Sequence, residues 1–114
     1  MIFLHIGLNK AGSSAIQAFC DRHRTDLLEL DVDYPAEGVH EGAHYGLSKR
    51  LIGRPEASQV PLGEGLDASV RASLEEGRKV LLSSEYLCTA GEREVERVHE
   101  LMSSFGVPTK ILIY

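Results

Sequence analysis

Cysteine is scarce in this chain of 114 residues: Cys20 and Cys88 are the only two, and they stand far apart. That excludes a disulfide-dense scaffold, and no Cys/His pair has the close spacing of a zinc site, so reduced thiols and no bound metal are expected. Long hydrophobic runs are missing as well. The opening Met1-Ile2-Phe3-Leu4-His5-Ile6 is too short for the apolar region of a signal peptide and lacks a basic start, and no later stretch approaches the length of a membrane span. A cytoplasmic protein is expected. Charge of one sign is also lacking in bulk. Twelve Lys and Arg against 17 Asp and Glu give a net charge of −5, and the signs alternate within segments such as Asp21-Arg22-His23-Arg24 and Glu92-Arg93-Glu94. Nucleic-acid phosphates are bound by clustered Lys and Arg, so no nucleic-acid partner is expected. An anionic ligand would have to be held by a local site.

What is present suits a folded chain. The composition is 43% hydrophobic and 25% charged, close to the average of globular domains, and the length provides for one core and one domain over residues 1–114. Residues 2–6 form a short apolar run broken by His5 and closed by Gly7, which predicts a central strand. Ser14-Ala15-Ile16-Gln17 has the form of a capping box, and Ile16, Phe19, His23, Leu27 and Leu30 recur at helical spacing after it. Residues 31–66 are punctuated by Pro and Gly and read as mostly loop, with a short helix at about 45–52, in the place where an acceptor-binding loop is expected.

Periodicity returns at Asp67, a good helix cap, with Val70 and Leu74 one turn apart and Gly77 as the stop. Lys79-Val80-Leu81-Leu82-Ser83 predicts a buried strand. Thr89-x-x-Glu92 is a second capping-box pattern, leading a helix whose apolar face is Val95, Val98, Leu101, Met102 and Phe105. Residues 110–114 predict a third strand. Strands alternating with helices indicate an α/β fold with a short parallel sheet and right-handed crossovers. An apolar strand at the very end would leave an unusually exposed edge, so the domain is expected to be truncated, and that edge is one through which chains could associate.

In open parallel sheets ligands bind beyond the carboxyl ends of the strands, which directs attention to the segments after Ile6 and after Ser83. The first reads Gly7-Leu8-Asn9-Lys10-Ala11-Gly12-Ser13-Ser14. Its glycines have the separation of the phosphate-binding G-x-x-x-x-G-K-[ST] loop, but Ser13 stands where that pattern has lysine, and the loop's lysine comes earlier, at Lys10. The phosphate-cradling physics survives the move. Glycines let main-chain N–H groups converge on an anion at a helix N-terminus, the Ser13 and Ser14 hydroxyls can donate, and Lys10 supplies a full positive charge. A tight strand-to-helix turn that binds nothing is the bland alternative. The second segment, Ser83-Ser84-Glu85-Tyr86-Leu87, carries a carboxylate where a general base could serve a transfer reaction; a solvated Glu at a helix entrance is the alternative. His44, in Gly42-Ala43-His44-Tyr45-Gly46-Leu47, is a weaker base candidate. Arg22, Arg24, Lys49, Arg50 and Arg54 could help hold an anion, with solvated surface as the default for each.

The strand Ile2-Phe3-Leu4-His5-Ile6-Gly7 followed by Lys10-Ala11-Gly12-Ser13-Ser14 and Ile16-Gln17 resembles the 5′-phosphosulfate loop of the P-loop-type sulfotransferases. Ala11 and two serines stand where that family has threonines. The resemblance is specific at residues 2–17 and, through a Ser-Ser-Glu after the corresponding strand, less so at 79–87. It implies a three-layer αβα sandwich like that of the P-loop NTPases. It also implies 3′-phosphoadenosine 5′-phosphosulfate (PAPS) as sulfuryl donor with no metal, and a carbohydrate or other small hydroxyl or amine acceptor. Asn9 to Ser14 would hold the donor, Lys10 would stabilise charge developing on the leaving phosphate, and Glu85 or His44 would be the base. The family's Arg and Ser segment that grips the 3′-phosphate lies after a strand like residues 110–114 and is not among these residues, so weak donor binding is expected. A small P-loop kinase or nucleotide-binding protein with Glu85 near magnesium, and a non-catalytic remnant, are the rival readings.

Overall fold

The apolar, β-favouring segments of the chain assemble into a parallel sheet in the computed structural model, which describes residues 1–7 and 13–113, apart from the side chains of Ser13 and Ser14. Strand β1 (Ile2–His5) is followed by helices α1 (Ser13–Arg22) and α2 (Arg24–Glu29), strand β2 (Val32–Asp33), helices α3 (Tyr45–Ile52) and α4 (Leu66–Glu75), and strand β3 (Lys79–Ser83). A 3₁₀ helix (Glu85–Thr89), helix α5 (Glu92–Ser104) and strand β4 (Thr109–Leu112) complete the order. The sheet order is β2-β3-β1-β4, with every pairing parallel. The α/β expectation and three of the strands agree with this. Strand β2 lies inside the segment read as loop; its two residues give no hydrophobic run long enough to register.

The register aligns Leu4 with Leu82 and Ile111, and His5 with Ser83 and Leu112. Because side chains alternate along a strand, Ile2, Leu4, Val80 and Leu82 share one face, and His5, Leu81, Ser83 and Leu112 the other. The first face packs on α3, α4 and α5 through Leu47, Leu51, Ile52, Leu66, Val70 and Met102. Ile2 and Leu4 are 0% exposed there, and full burial of such a side chain contributes about 1.5–3 kcal/mol. The second face meets α1 through Gln17 and Cys20. Helices on both faces make a three-layer arrangement, as right-handed crossovers leaving β1 and β3 in opposite directions require.

Helix one departs from its expected form. The chain breaks at His23 into two helices, and the recurring apolar residues do not form the buried face: Phe19 is 53% and Leu30 73% exposed, whereas Gln17 is 1% exposed. The amide of Gln17 crosses to the sheet, its Nε2–H donating to Ser83 Oγ; the Ser14 side chain of the expected capping box lies outside the described residues. Helix α4 starts after Gly65, and Asp67 pairs with Arg50 rather than capping. In α5 the cap is Gly91, whose N–H donates to Glu94 Oε1 at 2.9 Å, two residues beyond the Thr89 pattern. Thr89 is taken up at the end of the 3₁₀ helix, donating to the Tyr86 carbonyl at 2.7 Å. Val95, expected on the inner face of α5, is 54% exposed.

The segment between β2 and α4 is held by main-chain packing. The α position of Gly46 faces Pro61 O and Gly38 Cα so closely that a Cβ would stand 2.1 Å and 2.9 Å from them. Only glycine lets α3 begin against those two loops.

Candidate functional site

The strand order creates a topological switch point. The connection from β1 to β2 carries α1 on one face of the sheet and the one from β3 to β4 carries α5 on the other, the arrangement that places a crevice at the carboxyl ends of two adjacent parallel strands. His5 and Ser83 are the paired last residues of β1 and β3. Glu85 stands just past the β3 end of this crevice. Asn9, Lys10, Ala11 and Gly12 lie outside the described residues, as do the side chains of Ser13 and Ser14.

Glu85 opens the 3₁₀ helix, one residue past Ser84. Its Oε1 accepts a hydrogen bond from Tyr45 Oη at 3.0 Å. Tyr45 is nearly buried and meets the Tyr86 ring edge-to-face, with centroids 5.0 Å apart. Burial, and then the bond to the Glu85 carboxylate and its charge, push the Tyr45 phenol pKa upward, so the phenol stays a donor. A carboxylate oriented by a buried phenol is a suitable acceptor for a substrate proton.

His44 occupies a different place. It is 0% exposed, its Nδ1 accepts the Ser83 N–H at 3.0 Å, and its Nε2–H donates to the Pro35 carbonyl at 2.7 Å. Its own N–H donates to Ser83 O at 2.7 Å. The two bonds to Ser83 clip the start of α3 to the end of β3, which sets Tyr45 against Glu85. Burial lowers the imidazole pKa from its ordinary 6.5 to about 4, overriding the bonds to Pro35 and Ser83 that raise it. The ring is therefore neutral, and its proton-accepting lone pair is committed to the main chain. His44 positions the base candidate.

On the α1 side of the crevice Ser83 Oγ accepts Gln17 Nε2–H at 2.9 Å and is 2.7 Å from His5 Nδ1. His5 is lowered in pKa by burial, with the charge of Glu85 opposing. Next to it, Ser48 and Ser84 share a hydrogen bond between their hydroxyls. A cleft of about 220 Å³ lined by His5, Gln17, Cys20, Ser83, Leu112 and Ile113 opens beside this network. Sequence reasoning missed Gln17, Ser83, His5 and Tyr45 as parts of the site. The usable signal was two serines ending an apolar strand, and a glutamine among the buried positions of a helix.

Four of the five other basic candidates are engaged structurally. Arg24 Nε donates to Tyr34 O at 2.6 Å and its Nη2 pairs with Asp21 at 2.9 Å. Lys49 Nζ donates to the carbonyls of Ala57 and Val60, Arg50 pairs with Asp67, and Arg54 donates to Thr89. Arg22 stands at the end of α1. Among the described residues no group of three or more His, Cys, Asp or Glu could hold a metal ion, and no helix is long and apolar enough to cross a membrane. Comparisons with protein-family models, curated proteins and solved structures find no match for this chain.

Proposed function

We propose that this chain binds the 5′-phosphosulfate of PAPS at the segment following β1 and belongs to a sulfotransferase-like protein with a P-loop NTPase-like fold, transferring the sulfuryl group to a hydroxyl or amine acceptor. The observation that carries the reading is the placement of Glu85. It lies at the switch point between β1 and β3, just past the carboxyl end of β3, with its carboxylate oriented by Tyr45. In this reading the main-chain N–H groups and hydroxyls of residues 9–14 hold the phosphosulfate. Lys10 stabilises the negative charge that grows on the leaving phosphate. Glu85 takes the acceptor's proton as its oxygen or nitrogen attacks sulfur, and the S–O bond to the phosphate breaks with the electron pair leaving on the nucleotide.

The test is titration with adenosine 3′,5′-bisphosphate, followed by amide shifts in NMR. Each charge-assisted hydrogen bond contributes about 1.5–3 kcal/mol, so one phosphate loop alone is expected to give binding weaker than micromolar. Shifts at Gly7, Gln17 and Glu85 without Mg²⁺, lost in Lys10→Ala, are the expected result. No shift at millimolar nucleotide would refute the proposal. Binding of ATP only, and only with Mg²⁺, would replace it with phosphoryl transfer, in which the metal neutralises clustered phosphate charge.

A further inference from the structure

Between α3 and α4 the chain runs from Gly53 to Gly65 without helix or strand. Two of its residues reach the site described above: Val60, 3% exposed, packs with Ala43 and Tyr45, and Ala57 packs with Tyr86 against the same cluster. These are the two rings that stand behind Glu85, since Tyr45 Oη donates to Glu85 Oε1 at 3.0 Å and the Tyr86 ring meets the Tyr45 ring edge-to-face. The segment is therefore a strap across the phenol that orients the carboxylate. Its ends are pinned. Arg54 donates to the carbonyl and hydroxyl of Thr89 at 3.1 and 2.8 Å, and Pro61 O lies against Gly46, where a Cβ would meet it. Its middle is held by Lys49, whose ammonium donates to Ala57 O at 3.0 Å and to Val60 O at 3.1 Å. Lys49 follows Tyr45 by one helical turn, which puts both on one face of α3.

We infer that Lys49 is a positioning residue for Glu85: by holding the carbonyls of Ala57 and Val60 it keeps the strap seated on Tyr45 and Tyr86, and through Tyr45 it fixes the carboxylate. The Ala57 carbonyl also accepts the Val60 N–H at 3.2 Å, so the lysine closes a turn that presents the Val60 side chain inward. A hydrogen bond screened from water is stronger and better fixed than the same bond in solvent. Without the ammonium, the middle of the strap keeps only the apolar contacts of two small side chains. Its opening lets water reach the Tyr45 phenol, and Glu85 is then free to turn away. The consequence for turnover rests on the reading of Glu85 as the base; the consequence for the Tyr45–Glu85 bond does not.

Lys49→Met keeps the length of the side chain and removes its donors. In NMR of the 114-residue chain, the Val60 amide of this variant should exchange roughly 10²-fold faster, about tenfold for each charge-assisted bond lost. Contacts between the Val60 methyls and the Tyr45 ring should weaken, and the Tyr45 hydroxyl proton, held by Glu85 in the parent, should exchange freely with water. Tyr34 is the internal control: it is 0% exposed and its hydroxyl donates to Gly42 O at 2.7 Å, so its proton should stay protected. Lys49→Arg, which retains donors for both carbonyls, should restore the Tyr45 signal. In a preparation with sulfuryl-transfer activity, Lys49→Met should lower kcat with the donor's KM unchanged, and should cost nothing further in a Tyr45→Phe background, because the two act through one bond. A Tyr45 hydroxyl still protected in Lys49→Met, or one lost together with that of Tyr34, would overturn the inference. Unchanged turnover in Glu85→Gln alongside a released Tyr45 hydroxyl in Lys49→Met would instead remove the base reading and leave the role of Lys49 intact.

Discussion

Removing or replacing the His44 imidazole should reveal a pH-dependent share of the stability. The ring is fully buried and bonded to Ser83 N–H and Pro35 C=O, and the Tyr34 ring lies 4.5 Å away between centroids. His44→Ala leaves two buried main-chain groups unpaired at about 1–3 kcal/mol each, before any cavity term. Against a total stability of roughly 5–15 kcal/mol for a domain, that variant is expected to be unfolded or nearly so at neutral pH. The sharper test is His44→Gln, which carries an acceptor and a donor but does not titrate. In the folded parent the pKa is lowered to about 4 from an ordinary 6.5. Between those values the unfolded chain takes up a proton that the folded one refuses, so stability is whole above pH 6.5, falls as pH drops through the window, and levels off below about 4. The full effect is about 3 kcal/mol, because each tenfold loss of proton affinity on folding is worth about 1.4 kcal/mol. His5, also lowered by burial, acts in the same direction. Urea unfolding followed by circular dichroism at pH 7.5, 6.5, 5.5 and 4.5 measures it. The parent should lose stability relative to His44→Gln most strongly between pH 6.5 and 4.5. Parallel pH profiles for the two proteins would refute the buried, neutral assignment.

Two other perturbations probe the scaffold and the site. Gly46→Ala forces a Cβ onto Pro61 O and Gly38 Cα and should cost about 3 kcal/mol in urea unfolding. Gly53→Ala, where no atom lies within 4 Å but φ is 71°, should cost only about 1 kcal/mol, from its left-handed conformation. Equal losses would show that the loop crossing at Gly46 is not tight. In a preparation with sulfuryl-transfer activity, Glu85→Gln should lower turnover by roughly 10²–10⁴. Tyr45→Phe, which removes the bond to Glu85 but keeps the ring against Tyr86, should lower turnover less while leaving the melt within a few degrees. A Glu85→Gln protein with unchanged turnover would remove Glu85 as the base.

Local periodicity and turn chemistry made much of the fold legible. The apolar runs at residues 2–6 and Lys79–Ser83 had to be buried strands, and the short helix expected at about 45–52 within the loop-rich stretch is present as Tyr45–Ile52. The parallel sheet followed from alternation of strands and helices, and Glu85 was placed at a strand end by the apolar residues before it. Tertiary structure decided the rest. The two residues of β2 are a strand only because β3 offers them a ladder. Helix one turned Gln17 and Cys20 inward rather than its apolar stripe because the sheet face above it ends in His5 and Ser83, whose polar groups needed partners. His44 read as a candidate base from its loop alone, since its partners Pro35 and Ser83 lie 9 and 39 residues away. A segment carries its own helical or extended preference in its sequence, but which polar group meets which across the fold depends on the order of the strands, and that order exists only once the chain has folded.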